Sequence, residues 1–270
     1  MATMQPSRKQ RREQARAQRQ EAERRAAAEA ARRRRLIQFG GLIGLAAVIV
    51  VVAIIVSSGG AKGPTKKGNE QVAGQSLAAE EFNGIQQSGD TLGDPNAKHT
   101  LIEYGDINCP ACKEYSDSLM PQVVDKYVRS GQLKIQFKPF GFIQPWTYKG
   151  ARYAWAAAEQ NKMWEFSKLW YYNQKDETVD YDNDAFATQM AKGVPGLNVK
   201  KLLADANSKK VADEVKQTQQ EFQQHSFTAT PSFLAGPSGG KLTTLDPGAT
   251  PSSFLDNVGK MIDGKSTSGT

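Results

Sequence analysis

Cys109 and Cys112 are the only cysteines in this 270-residue chain, and they stand three positions apart between an apolar run and a helical pattern. In Glu103-Tyr104-Gly105-Asp106-Ile107-Asn108-Cys109-Pro110-Ala111-Cys112 the proline follows the first cysteine directly. Proline suits the first turn of a helix, because its φ is already helical and its missing N–H would have had no partner there. Cys109 is therefore predicted at the N-cap, its sulfur facing the free amides of Ala111 and Cys112 and the positive end of the helix dipole. Both favour thiolate over thiol, at about 1.4 kcal/mol per unit of pKa depression. Cys112, one turn on, is expected to point inward and leave Cys109 as the more exposed sulfur. Residues three apart on a helix have Cβ atoms about 5–6 Å apart, and a disulfide needs about 3.8 Å. A bridge here must tighten the turn, which makes it easy to reduce.

Other roles for the pair fit less well. A disulfide closing so short a loop restrains little of the unfolded chain, which argues against a structural staple. A zinc site usually takes four ligands, and beyond this pair the chain offers only His99 and His225, far apart in sequence. No metal is expected. Chance spacing of two buried thiols does not account for the strand-to-helix setting. Reversible thiol–disulfide chemistry accounts for all of it.

The flanking elements follow from pattern. Thr100 to Tyr104 is predicted as a buried strand interrupted by one acid, and Lys113 to Arg129 as a helix kinked near Met120-Pro121. Leu133 to Phe140 alternates apolar with polar and ends at Pro139, a half-buried strand. Strand, helix and strand make a parallel βαβ unit. Tyr148 to Tyr172 carries an aromatic row that reads as core packing in preference to a cofactor box. Asp184 to Lys192, Asn198 to Ala206 and Ser208 to Gln224 are further helical stretches. Ser232 to Ala235 and Lys241 to Leu245 are expected to form a hairpin, and Pro251 to Ile262 a closing helix. Asp106 and Asn108 are expected to serve as loop or capping residues.

Cys-Pro-Ala-Cys after a strand, Gly93-Asp94-Pro95-Asn96-Ala97 ahead of that strand, and Thr230-Pro231 before Ser232-Phe233-Leu234 together resemble the thioredoxin superfamily. The likeness, over roughly Gly89 to Ile262, is to its DsbA-like branch of thiol–disulfide oxidoreductases. It implies an α/β thioredoxin fold over residues 90–264, with an inserted all-helical subdomain over about 147–225 lining one side of the active-site groove. It implies a redox-active Cys109–Cys112 disulfide with no other cofactor, and Pro110 and Ala111 shaping the site. Glu103, six positions before Cys109, matches a buried acid that relays a proton to or from the inner thiol, and desolvation would raise its pKa toward a useful range. Thr230 and Pro231 match a cis-proline turn that pairs by main chain with an extended substrate. Two positions depart from the pattern: Ala111 stands where many members have His or Tyr, and Ala229 where Gly is usual.

The implied activity is extracytoplasmic oxidation of exported proteins with free thiols. With no further cysteine in the chain, reoxidation falls to a membrane quinone-linked oxidase of the DsbB or vitamin-K-epoxide-reductase type. A reductase donating electrons outside the membrane and a non-catalytic envelope binding protein are the alternatives.

The remaining sequence bears on location. Residues 1–35 hold twelve Arg or Lys against four Glu, so the overall net charge of +7 belongs to this tail; the other 235 residues hold 23 basic against 24 acidic. A near-neutral domain without a basic-aromatic stripe excludes nucleic acid as its partner. Leu36 to Val56 has no charge and one Gln. At about 1.5 Å per residue it is long enough for a hydrocarbon core of roughly 30 Å, a single-pass transmembrane helix. A cleaved signal peptide would have a shorter apolar region and an A-x-A-like site. Arg32 to Arg35 directly before the span place the tail in the cytoplasm and residue 57 onward outside the cell membrane. That side is one where disulfides persist, and the tail is expected to contact anionic lipid. Residues 57–89, rich in Gly, Ser, Lys, Gln and Ala, are expected to be a flexible linker, with a short helix or edge element somewhere in 77–85.

Overall fold

The structure, a computed structural model, describes residue 68, residues 70–248 and residues 250–264. The basic tail over 1–35, the span over 36–56 and the first part of the linker lie outside the described residues. No helix among the described residues is long and apolar enough to cross a membrane.

The linker expectation is corrected from residue 70 onward. Gln75–Phe82 forms a helix, α1, and Val72, Ala78 and Phe82 are buried in the core. Phe82 packs on Trp164 with ring centroids 6.1 Å apart, so a few large apolar side chains in a polar stretch are enough to bind it to the domain. Two short strands follow, β1 (Gln87–Ser88) and β2 (Thr91–Leu92). They pair antiparallel with each other, and β2 pairs antiparallel with Leu133–Pro139, which is β4. No periodicity marks two-residue strands, and the sequence patterns miss them.

Six strands form one sheet in the order β1-β2-β4-β3-β5-β6. Its centre is β3 (His99–Gly105), parallel to β4 (Leu133–Pro139) and antiparallel to β5 (Ser232–Pro237). β6 (Thr243–Leu245) pairs with β5 at the edge. In register, Glu103 stands between Phe137 of β4 and Phe233 of β5. The connection from β3 to β4 is the helix α2, which is not α-helical throughout. It runs through Pro110–Glu114, a π turn at Tyr115–Leu119, Met120–Val123 and a second π turn at Val124–Val128. Met120 N–H bonds the Tyr115 carbonyl five residues back, and in that register Pro121 would serve Ser116 but has no N–H. Lys168 Nζ supplies the missing donor at 2.5 Å from the Ser116 carbonyl. The kink expected at Pro121 is thus resolved as a widened turn capped from another helix.

The insert is all helical: α3 (Tyr148–Ala158), α4 (Met163–Tyr172), α5 (Asp184–Lys192), α6 (Val199–Ala206) and α7 (Lys209–Gln224). Asn183, Asn198 and Ser208 cap the last three by accepting from Phe186, Lys201 and Val211 N–H, each cap contributing about 1 kcal/mol. The aromatic row is core: Trp170 is fully buried and packs on Phe186 at 4.7 Å. Phe222 of α7 packs on Phe140 just past β4 at 4.7 Å. α8 (Pro251–Ile262) closes the fold, its Phe254 set 4.9 Å from Phe233 and 5.4 Å from Tyr115.

Candidate active site

Cys109 is the N-cap of α2, with extended backbone (φ −76°, ψ 124°), and Pro110 occupies the first turn. Both cysteines are free thiols. Their exposures, 3% for Cys109 and 0% for Cys112, keep the expected order, and both sulfurs are buried. The N-cap lies in a seam. The Cys109 thiol donates to the Thr230 carbonyl at 3.4 Å, and Gln174, just past α4, donates to the Cys109 carbonyl at 3.2 Å and the Ile107 carbonyl at 3.1 Å. The Thr230–Pro231 peptide bond is cis. Thr230 is buried and its hydroxyl has no hydrogen-bond partner among the described residues while Cys109 is a thiol.

The electrostatics separate the two sulfurs. Cys109 is held at about 7, against 9.0 for an ordinary thiol. The largest cause is donation from the Cys112 thiol; Thr230 and the Cys112 and Ala111 backbone amides also favour the thiolate, and burial works against them. The backbone amides are therefore contributors and not, as the sequence implied, the main source. Cys112 is pushed well above 9.0 by burial, then by Cys109 and by Glu103. A proton accordingly stays on the inner sulfur while the outer one ionises near neutrality. Ala111, half-buried, adds no polar side chain to this arrangement.

Glu103 is 2% exposed. Its carboxyl is raised from 4.5 to about 8, first by burial and then by the Cys109 charge. Two phenylalanines in register on the neighbouring strands explain the missing solvation. The carboxyl and the inner thiol meet at Gly105: a Cβ placed there would lie 3.4 Å from both Cys112 Sγ and Glu103 Oε1, and 3.1 Å from the Phe137 ring. A side chain at 105 would fill the space between acid and thiol. Gly105 carries no motif signal, and sequence reasoning missed it.

It also understated the loop before Cys109. Asp106 is fully buried, and its Oδ2 accepts from Phe142 N–H (2.7 Å), Ile143 N–H (2.9 Å) and the Thr147 hydroxyl (2.6 Å). Asn108 Nδ2 donates to Asp182 Oδ1 at 2.7 Å, and Trp170 Nε1 donates to Asn108 Oδ1 at 2.9 Å. Asp182 also accepts from Gly150 N–H at 3.0 Å, and burial raises its carboxyl to about 7. These side chains tie the strand-to-helix turn to the insert. Their partners lie 32 to 74 positions away, which spacing within one sequence does not disclose. Among the described residues no group of three or more His, Cys, Asp or Glu is placed to hold a metal ion.

A thioredoxin family model matches residues 86–244. The chain belongs to the thioredoxin family. Within it, this thioredoxin-family chain is 27% identical over 200 residues to the probable disulfide bond formation protein D of Bacillus cereus, covering 73% of this chain and 82% of that one. It is 23% identical over 175 residues to disulfide bond formation protein D of Bacillus subtilis, covering 63% and 73%. Among solved structures it is similar to oxidised BdbD from Bacillus subtilis, with a TM-score of 0.55, 18% identity and coverage of 67% and 96%. DsbA from Chlamydia trachomatis gives a TM-score of 0.54, 18% identity and coverage of 64% and 90%. The fold is thus the DsbA-like thioredoxin fold with its helical insertion, and the protein is a thiol–disulfide oxidoreductase.

Proposed function

We propose that this thioredoxin-family oxidoreductase introduces disulfides into exported proteins outside the cell membrane. The observation that carries the redox chemistry is Cys109 held at about 7, a reactive thiolate near neutrality that thioredoxin shares; the direction rests on the relatives' names, disulfide bond formation protein D. Stabilising the thiolate of the reduced pair favours electron uptake, at about 1.4 kcal/mol per pKa unit and about 30 mV for the same energy in a two-electron couple.

A substrate thiolate attacks Cys109 of the oxidised pair, forming a mixed disulfide and breaking the Cys109–Cys112 bond. Cys112 leaves as a thiolate and takes the proton of the Glu103 carboxylic acid. A second substrate thiolate attacks the substrate sulfur of the mixed disulfide, forming the substrate disulfide and releasing Cys109 as a thiolate. Two electrons have passed from substrate to the pair. Thr230 and Pro231 hold the substrate's extended main chain beside the sulfur; the 3.4 Å contact of Cys109 to the Thr230 carbonyl supports that role. Pro110 and Ala111 shape the turn and leave the substrate side free of a bulky residue.

The chain has no third cysteine, so reoxidation comes from outside, from a membrane quinone-linked oxidase of the DsbB or vitamin-K-epoxide-reductase type. Leu36 to Val56 anchors the domain, residues 1–35 lie in the cytoplasm against anionic lipid, and the catalytic domain faces out.

Equilibration of the protein with a glutathione redox buffer tests the direction. An oxidase gives a reduction potential well above about −270 mV, the value of thioredoxin; a potential near that value establishes the reductase alternative instead.

A further inference from the structure

The proton on Glu103 needs a way out. The acid is buried in the sheet, and on the active-site side Cys109 is only 3% exposed before any substrate arrives. A substrate in mixed disulfide covers Cys109 further, at the moment when Glu103 has given up its proton and must regain one.

The rear of the site is built differently. A cavity of about 20 Å³ lies against Glu103, lined by Ser116, Ser167 and Lys168 together with Tyr171, Trp164 and three apolar side chains. That is room for one water, and a water there has polar neighbours to hold it. Ser167 Oγ is buried with no hydrogen-bond partner among the described residues, an orphan that such a water satisfies. Lys168 is the shared wall between this cavity and an open groove of about 520 Å³ on the protein surface, also lined by Glu81 and Asp117. Lys168 Nζ stands 3.0 Å from Glu81 Oε2 and 3.4 Å from Asp117 Oδ1. Glu81 Oε1 is likewise buried with no partner among the described residues.

We propose that a water in this cavity passes the proton between Glu103 and the Lys168–Glu81 pair, making the α1–α4 side a rear proton exit for the oxidoreductase. In each turnover Cys112 thiolate takes a proton from Glu103, and Glu103 carboxylate takes one from the cavity water. That water is resupplied through Lys168 and Glu81 from solvent. On reoxidation the proton moves the other way. Only protons move along this path; the electrons pass at the sulfurs.

The charges around Glu103 suit a single rear path. Cys109, Cys112 and Tyr115 of α2 and Tyr171 of α4 face it, and each phenol is pushed well above 10.0 by burial. Neither phenol therefore gives up its proton near neutrality, and Lys168 and Glu81 are the ionisable groups leading away. Glu81 is itself raised above the ordinary carboxylate by burial, against the pull of Lys168, so it can hold a proton in transit.

The proposal rests on Glu103 as the proton carrier for Cys112, and the test separates the two. In the full chain, the carboxylic C=O band of Glu103, identified by its loss in Glu103→Gln, is followed by infrared spectroscopy after mixing into D2O. Single-turnover oxidation of a dithiol peptide is measured alongside. Ser167→Val and Ser116→Val fill the cavity from two different helices, α4 and α2. The expected result is a loss of about tenfold or more in both deuterium exchange and turnover rate, with the reduction potential unchanged, because a route alters rates and not equilibria. Wild-type exchange and turnover in both variants, with Glu103→Gln slow, overturns the rear exit alone. A wild-type turnover rate in Glu103→Gln overturns the carrier and the exit together. Should neither cavity variant fold, the wild-type protein decides: exchange slower than turnover overturns the route, and exchange at least as fast supports it.

Discussion

The Cys109 sulfur lies 3.4 Å from the carbonyl oxygen of Thr230, a residue 121 positions later in the chain. That contact joins the two ends of the active site: the start of α2 and the cis-proline turn ahead of β5. When Cys109 ionises it loses the proton it donates there, and the Thr230 side chain and the Cys112 thiol become the donors that hold the charge.

The thiolate should therefore depend on side chains as well as on the helix end. Titration of thiolate absorbance is expected to give a midpoint at about 7 for Cys109. Cys112→Ala removes the largest stabilising contact and should raise the midpoint toward 9.0, with Thr230→Val raising it less. Ala111→His adds a cation beside the sulfur and should lower it below the wild-type value. A midpoint in Cys112→Ala equal to wild type would show the amides of α2 to be sufficient by themselves.

Glu103 makes the reduced protein's stability depend on pH in a definite direction. Its folded pKa of about 8 lies above the ordinary 4.5, so the folded state binds the extra proton between those values. The contribution is fully present below 4.5 and is lost as pH rises through about 8. Relative to Glu103→Gln, the reduced wild type should lose on the order of a few kcal/mol between about pH 5 and about pH 8. Urea midpoints of both proteins at the two pH values check this; parallel curves would show the carboxyl to be solvated.

Asn108 should prove structural as well as positional. Its side chain serves Asp182 and the Trp170 indole at once. Asn108→Ala leaves the Trp170 indole N–H and Asp182 Oδ1 without these partners, and the expected loss is about 2–4 kcal/mol. Asn108→Asp keeps an acceptor for Trp170 but sets a second carboxyl against Asp182, and it should cost more as pH rises. Denaturant midpoints across pH distinguish the two variants.

Lys168 carries two duties that a double mutant can separate. It pairs with the buried Glu81 and caps the Ser116 carbonyl left open by Pro121. Lys168→Met should cost about 3–5 kcal/mol, because it strands a buried charge. Adding Glu81→Gln should recover part of that loss. Adding Pro121→Ala, which restores an N–H for Ser116, should recover a further part. Thermal or urea unfolding of the four proteins measures each share, and full recovery by Glu81→Gln alone would mean the carbonyl cap is worth nothing.

Much of this domain follows from local rules. Proline after Cys109 sets the helix start, alternation in Leu133 to Pro139 sets a half-buried strand, and Asn183, Asn198 and Ser208 announce the helices they cap. Each depends on residues within a turn or two of one another, where a side chain and its backbone partner are covalently near. Residues 70–89 were legible only as far as a short helix or edge element in 77–85, which the helix Gln75–Phe82 overlaps; its docking was not, because a polar stretch with Val72, Ala78 and Phe82 is held only against Trp164 and its neighbours.

The sequence by itself determined the chemistry available, a Cys-Pro-Ala-Cys turn at a helix start, because N-cap geometry and the spacing of the two thiols are local. Only the tertiary structure decided how that chemistry is surrounded. Glu103 lies between Phe137 and Phe233, the space at Gly105 joins the acid to Cys112, and Thr230 meets the sulfur. Burial and long-range contact set desolvation and charge, and these depend on which strands and helices pack together, a property no window of sequence contains.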